Sequence, residues 1–419
     1  MPKIKNITAR EILDSQGNPS IEAKVILDNG LSAKASVPGS LNASYGAIEL
    51  RDGDLKRYKG LGVLQAIAKI KDIIVPGLIG VEITKQSEID KILITLDGTI
   101  NKKNLGVNTS LVVSLACARV AALSRDQELF DYLQKTFVFN SSFKTPTPIF
   151  NLFNGGRHAD TNLDWQEFLI IPKTESASKM IQAGAEIFHE LARVLKESNY
   201  DTDTGVEGGY APDLDSSIEA IELILAASVR AGYNPGKDVY LGIDVGSSSL
   251  YEEKSQKYLF PLDNIYFSSA NLISLYNDWF EKYPLIYLED ALAEDDWKNW
   301  QELTAELGEK LLIVGDELFS GDQDRLRHGL KEKVANSIVI RPNQIGTLTE
   351  TVDCIRLAQK HNYKVVISHA SSETNDDFIS DLAVAVGADY LKAGSLSRGE
   401  RLAKYNRLLE IAEIIELKK

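Results

Sequence analysis

Six apolar runs in the second half of the chain each stop at a charged or ionisable residue. They read LGID (Asp244), IYLED (Glu289, Asp290), IVGDE (Asp316, Glu317), VIRPN (Arg341), VISH (His369) and YLKAG (Lys392). Helical stretches separate them, and the ~25–45-residue spacing fits successive strand–helix units of a parallel barrel. In such a barrel the carboxyl ends of the strands converge on one rim, where active sites of this fold sit. Three carboxylates meeting there repel one another unless a hard cation lies between them. Asp244, Glu289 and Asp316, oxygen donors without a cysteine among them, therefore point to Mg²⁺. The alternative for each acid is a helix cap, which the coincidence of three in consecutive units disfavours.

Two further apolar runs, IFNLFN and QEFLIIP, come close together from Ile149. Two helical patterns follow, KMIQAGAEIFHELARVLKES and SIEAIELILAASVRAGY, before alternation sets in. Eight strands with this irregular start fit a closed barrel, with an open doubly wound sheet as the alternative. Residues 1–135 read differently. IKNITAREI, SIEAKVILDNG and LSAKASVP form three short strands joined at Ser15–Pro19 and Asp28–Gly30, followed by helices, the last running from Thr109 to about Lys135. This is a small α+β domain. The Ser/Thr/Pro-containing stretch 136–148 is the expected linker, and 149–419 the barrel domain carrying the site.

The chain has 419 residues, 44% hydrophobic and 25% charged, with a net charge of −14 and a pI near 5.0. That balance argues against nucleic acid or an anionic membrane as partner, so an anionic substrate needs a local cluster of cations. Arg341, His369 and Lys392 supply one. The two cysteines, Cys117 and Cys354, read as buried free thiols, which suits a reducing compartment. With no uninterrupted apolar run of ~18 residues and no secretory leader, the cytoplasm is the expected location.

GVEGGYAP places Glu207 in a glycine-rich loop, and NGGRHADTNLDWQEF adds His158, Gln166 and Glu167 near a strand start. Each alone reads as an ordinary loop or sheet residue. Together with AREILDSQGNPS, AIELRDGD, YLEDALAEDDW, ANSIVIRPNQIGTLTET, VISHASSET and LKAGSLSRGERLAKYN, they make the chain resemble the enolase family over nearly its whole length. The resemblance implies a small N-terminal α+β domain and a (β/α)8 barrel that begins ββαα. It implies Mg²⁺ on Asp244, Glu289 and Asp316, and Glu207, supported by Glu167, as the acid that helps hydroxide leave. It places His158, Gln166 and Lys392 around a small anionic carboxylate substrate, with His369 nearby and Ser371 at the phosphate. It also implies a homodimer or larger homo-oligomer.

The departures are concentrated. The family's proton-abstracting lysine falls at Arg341, and its phosphate-binding arginine at Ala370. Gln16 replaces an arginine of the early motif and Val206 an acid beside Glu207. The loop VPGSLNASYG is rewritten, so neither Ser40 nor Ser44 inherits the second-metal role. A guanidinium cannot deprotonate near neutrality. Ordinary 2-phosphoglycerate dehydration is therefore expected to be impaired, and a Mg²⁺-dependent lyase with a shifted substrate is the first reading. Proton transfer would then fall to Lys392, Glu207 or His369, or no carbon-bound proton would be taken. A slow residual enolase and a non-catalytic scaffold on the same fold are the other two.

Overall fold

A computed structural model describes residues 1–39, 45–139 and 142–417. Strands β1 (Ile4–Leu13), β2 (Pro19–Leu27) and β3 (Ser32–Val37) form an antiparallel meander. Period-two patterning makes one face of β2 the core: Ile21, Ala23, Val25 and Leu27 are fully buried. Helix Val107–Ser124 covers that face. It is long and apolar enough to span a membrane by composition, yet 83% of it is buried inside the protein. The single helix expected from Thr109 to about Lys135 is in fact two. The chain breaks after Ser124, passes through Asp126 at φ +51°, and restarts as Leu129–Thr136.

The barrel strands are β4 (Thr147–Asn154), β5 (Glu167–Pro172), β6 (Val239–Asp244), β10 (Leu285–Glu289), β11 (Leu312–Gly315), β12 (Ser337–Ile340), β13 (Lys364–Ser368) and β14 (Tyr390–Lys392). They close in that order, β14 pairing with β4. β5 runs antiparallel to both neighbours, and helices Ala177–Glu197 and Ser217–Arg230 follow it. The start is thus ββαα, and the open-sheet alternative is excluded. Ile149, Leu169, Ile171, Tyr287, Val314, Val339 and Val366 fill the barrel interior, as inward-facing layers of branched and aromatic side chains do in this architecture. Between β6 and helix Ser269–Lys282 the chain inserts a small antiparallel sheet, β7 (Tyr251–Glu252), β8 (Lys257–Phe260) and β9 (Ile265–Phe267), which the sequence reading missed.

The N-terminal unit docks beside the barrel rim. Arg119 Nη2 donates to Asp376 and Asp377, both at 2.7 Å. Buried Asp90 accepts from Thr349 N at 2.9 Å. Lys102 reaches Glu350, 2.7 Å away, which closes the capping box of helix Leu348–Lys360 with Thr347. The β1–β2 turn bonds to the loop after β13 through Ser15 N to Glu373 O at 2.7 Å. Cys117 and Cys354 are free and buried.

Candidate active site

Because β5 runs antiparallel to the other barrel strands, its first residue, Glu167, lies on the same rim as their last residues: Glu167 pairs in register with Asp244, and Asp244 with Glu289. Asp316, Arg341 and His369 follow β11, β12 and β13 directly, and Lys392 ends β14. The topology therefore gathers the predicted residues on one rim, nearly all of them buried.

Lys392 sits in the middle, fully buried. Its Nζ lies 2.8 Å from both Glu289 oxygens, 3.1 Å from Asp244 Oδ2 and 3.3 Å from Glu167 Oε2. Burial opposes its charge, but Glu167, Glu289 and Asp244 outweigh it and hold the amine well above its ordinary pKa. These three carboxylates favour the ammonium form of Lys392.

Glu207 rides on the loop 205–209. Gly208 adopts φ +91°, and a Cβ there would come within 2.5 Å of Ser397 Oγ, which explains the glycine. Ser395 N donates to the Glu207 carbonyl at 3.0 Å and Val206 N to the His158 carbonyl at 2.9 Å, fixing the loop on both sides. His158 Nδ1 lies 3.3 Å from Glu167 Oε1 and 3.4 Å from Glu207 Oε2, while its Nε2 faces Ser371 Oγ at 3.3 Å. Burial disfavours the imidazolium, yet Glu207 and Glu167 push its pKa up to about 10. Burial likewise works against the Glu207 carboxylate, but His158 and the Arg401 guanidinium hold it well below the ordinary range. Asn151 Nδ2 adds a 3.3 Å bond to Glu207. His158, Glu167 and Glu207 offer ligand atoms within 4.8 Å of one another. The trio forms an ion-pair cluster when His158 is protonated and could hold a metal ion when the ring is neutral.

Asp244, Glu289 and Asp316 are all buried. Burial and the neighbouring Glu289 carboxylate raise Asp244 well above its ordinary pKa. Burial raises Asp316 to about 6 in spite of Arg341. Among the described residues Asp316 Oδ1 is buried with no partner. An oxygen-only donor set, with Asp244 and Asp316 pushed up by burial and one carboxylate oxygen unpartnered among the described residues, fits a hard divalent cation. Gln166 Nε2 reaches Asp244 Oδ2 at 3.3 Å, and the Tyr287 hydroxyl donates to Glu289. Asp290, adjacent to Glu289, turns away at φ +43° and accepts from Asp316 N and Glu317 N at 3.0 and 2.9 Å, so it shapes the rim rather than facing the site.

On the other side, Arg341 Nη2 pairs with Asp316 Oδ2. Burial opposes the guanidinium, but Asp316 and the other rim acids raise its pKa further, so it stays a cation. Ala370 puts no polar side chain into the rim. Its N–H donates to Glu373 Oε1 at 3.1 Å and its carbonyl accepts from Arg401 Nη1 at 2.7 Å. Gln16 is exposed. Ser40 and Ser44 lie outside the described residues. His369 is buried and held well below its ordinary pKa by burial and by Arg401, so it is neutral.

The sequence reading did not single out Arg401. On helix Gly399–Leu417 it shares a buried stripe with Lys404, Tyr405, Leu408, Ile411 and Ile415. A basic residue at that helical phase was the available signal.

Two family models match the chain. The enolase N-terminal domain covers residues 4–133, and the enolase C-terminal TIM barrel domain covers residues 142–418. The chain belongs to the enolase family. This family membership agrees with the ββαα barrel and with the rim built above.

Proposed function

We propose that this enolase-family protein is a Mg²⁺-dependent enzyme of the lyase type acting on a small carboxylate or phosphoenolpyruvate-like compound, in which ordinary 2-phosphoglycerate dehydration is impaired. The observation that carries the reading is the Arg341–Asp316 pair, a permanent cation where the family's base would stand. Asp244, Glu289 and Asp316 would hold the metal, which when bound supplies a positive charge to stabilise negative charge developing on a carboxylate. Lys392 and Gln166 would orient that carboxylate. The His158–Glu167–Glu207 cluster keeps a shared proton beside the position of a departing oxygen, so the acid half of an elimination is equipped.

On the base side, Arg341 cannot release its proton, and the carboxylates around Lys392 and His158 favour their charged forms. The proposed reaction therefore takes no carbon-bound proton at the Arg341 position. We place the protein in the cytoplasm as a homodimer or larger homo-oligomer, with no nucleic-acid or membrane partner, on its acidic balance and its family. A panel of small carboxylates, each with and without Mg²⁺, tests the reading by thermal stabilisation of the protein. Stabilisation by at least one carboxylate that needs Mg²⁺ is expected. If Mg²⁺ adds nothing to any of them, the proposal falls and a scaffold takes its place.

A further inference from the structure

Arg401 is fully buried, and its one ion pair among the described residues, Nε to Glu400 Oε1 at 3.5 Å, is not a hydrogen bond. Its guanidinium instead joins two loops. Nη1 donates to the Ala370 carbonyl at 2.7 Å and lies 2.5 Å from His369 Nδ1, and Nη2 donates to the carbonyls of Ser371 at 2.6 Å and Val206 at 3.2 Å. Val206 precedes Glu207, so one side chain ties the His369–Ser371 loop to the Glu207 loop.

The contact with His369 has one chemical solution. Arginine has only donors, so a ring nitrogen 2.5 Å from Nη1 must offer a lone pair. Nδ1 is also 3.0 Å from the Ala370 carbonyl, and a protonated Nδ1 would satisfy that oxygen. The same carbonyl already accepts from Arg401, however, and an N–H facing the guanidinium would set donor against donor. The proton of this neutral ring therefore belongs on Nε2. Among the described residues Nε2 is buried with no hydrogen-bond partner, and the nearest acid to it is Glu207 Oε2 at 3.9 Å, across the space between the two loops.

We propose that Arg401 is a positioning residue that locks His369 as the Nε2–H tautomer, turning a residue that could serve as a base into a neutral hydrogen-bond donor aimed into the site. The donor then meets an acceptor oxygen of the ligand beside Glu207, close to where Ala370 has removed the family's arginine. That use of the donor rests on the function proposed above, whereas the tautomer itself does not.

Histidine-ring nitrogen NMR on the full chain at neutral pH reads the tautomer without any substrate. The chain has five histidines, and the His369 signals are those lost in His369→Gln. In the wild-type protein His369 should show a protonated, pyrrole-type Nε2 and a pyridine-type Nδ1. Arg401→Lys, which keeps a cationic donor, should retain this pattern. Arg401→Met should lose it, moving the proton wholly or partly to Nδ1 and the Ala370 carbonyl. A protonated Nδ1 in the wild-type protein overturns the proposal even if neither variant folds. So does an unchanged Nε2–H pattern in a folded Arg401→Met. Either result leaves the metal and carboxylate reading untouched.

Discussion

The two halves of this rim solve the problem of buried charge differently. Around Lys392 and His158, two cations lie among four carboxylates, Glu167, Glu207, Asp244 and Glu289, in contacts of 2.8–3.4 Å. At the other half, among the described residues, Arg341 forms an ion pair with Asp316 and one Asp316 oxygen has no partner, and Ala370 contributes no charge. The first half retains the groups that the enolase resemblance assigns to the acid and the carboxylate. The second half has exchanged those assigned to the base and the phosphate. Loss of Lys392 would strand Glu167, Asp244 and Glu289, all buried, at once, whereas the ion pair of Arg341 is to Asp316.

The comparison can be broken first at its dense end. Lys392→Met should cost ~3–5 kcal/mol of stability in urea unfolding, since it leaves Glu167, Asp244 and Glu289 buried without their cation. Mg²⁺ should restore part of that loss by binding the native state; no recovery would remove the metal from this half. At the sparse end, Ala370→Arg should tighten 2-phosphoglycerate binding by ~1.5–3 kcal/mol, read by calorimetry, if the phosphate still lies where the family places it. No gain would mean that the rewritten loop has moved the anion site.

The His158 cluster makes a pH prediction of definite sign. His158 is raised from 6.5 to about 10 on folding, so its stabilisation is complete below pH 6.5 and is lost as pH rises towards 10. Glu207 is lowered from 4.5, so its contribution holds above that value and is lost as pH falls through its folded pKa. Stability of the wild-type protein should therefore fall on the alkaline side by up to ~1.4 kcal/mol per pH unit. His158→Gln should flatten that slope. The smallest effect belongs to Arg341→Met, which should strengthen Mg²⁺ binding roughly tenfold by removing a cation from Asp316. Unchanged affinity would make Arg341 a bystander to the metal.

Much of the site was legible because its chemistry stands at fixed places in a repeating unit. A strand's last residue needs no long-range information to be placed on the rim once the alternation is read, which is how Asp244, Glu289, Asp316, Arg341, His369 and Lys392 were found together. The rest depends on contacts between distant segments. That Lys392 would bind three acids, from β5, β6 and β10, cannot be read from local pattern. The β7–β9 insertion was missed because its strands are only two to four residues long. The helix break at Arg125–Glu128 hides in a continuous helical composition, and the turn rests on a single left-handed aspartate.

The central claim is that Arg341 blocks the family's proton abstraction while the rest of the rim remains able to work. Its most direct test is the rate of enolpyruvate absorbance from 2-phosphoglycerate with Mg²⁺, for the wild-type protein beside Arg341→Lys with Ala370→Arg. The account predicts a wild-type rate ~10²–10⁴-fold below that of the double variant. A wild-type rate equal to or above it would contradict the account.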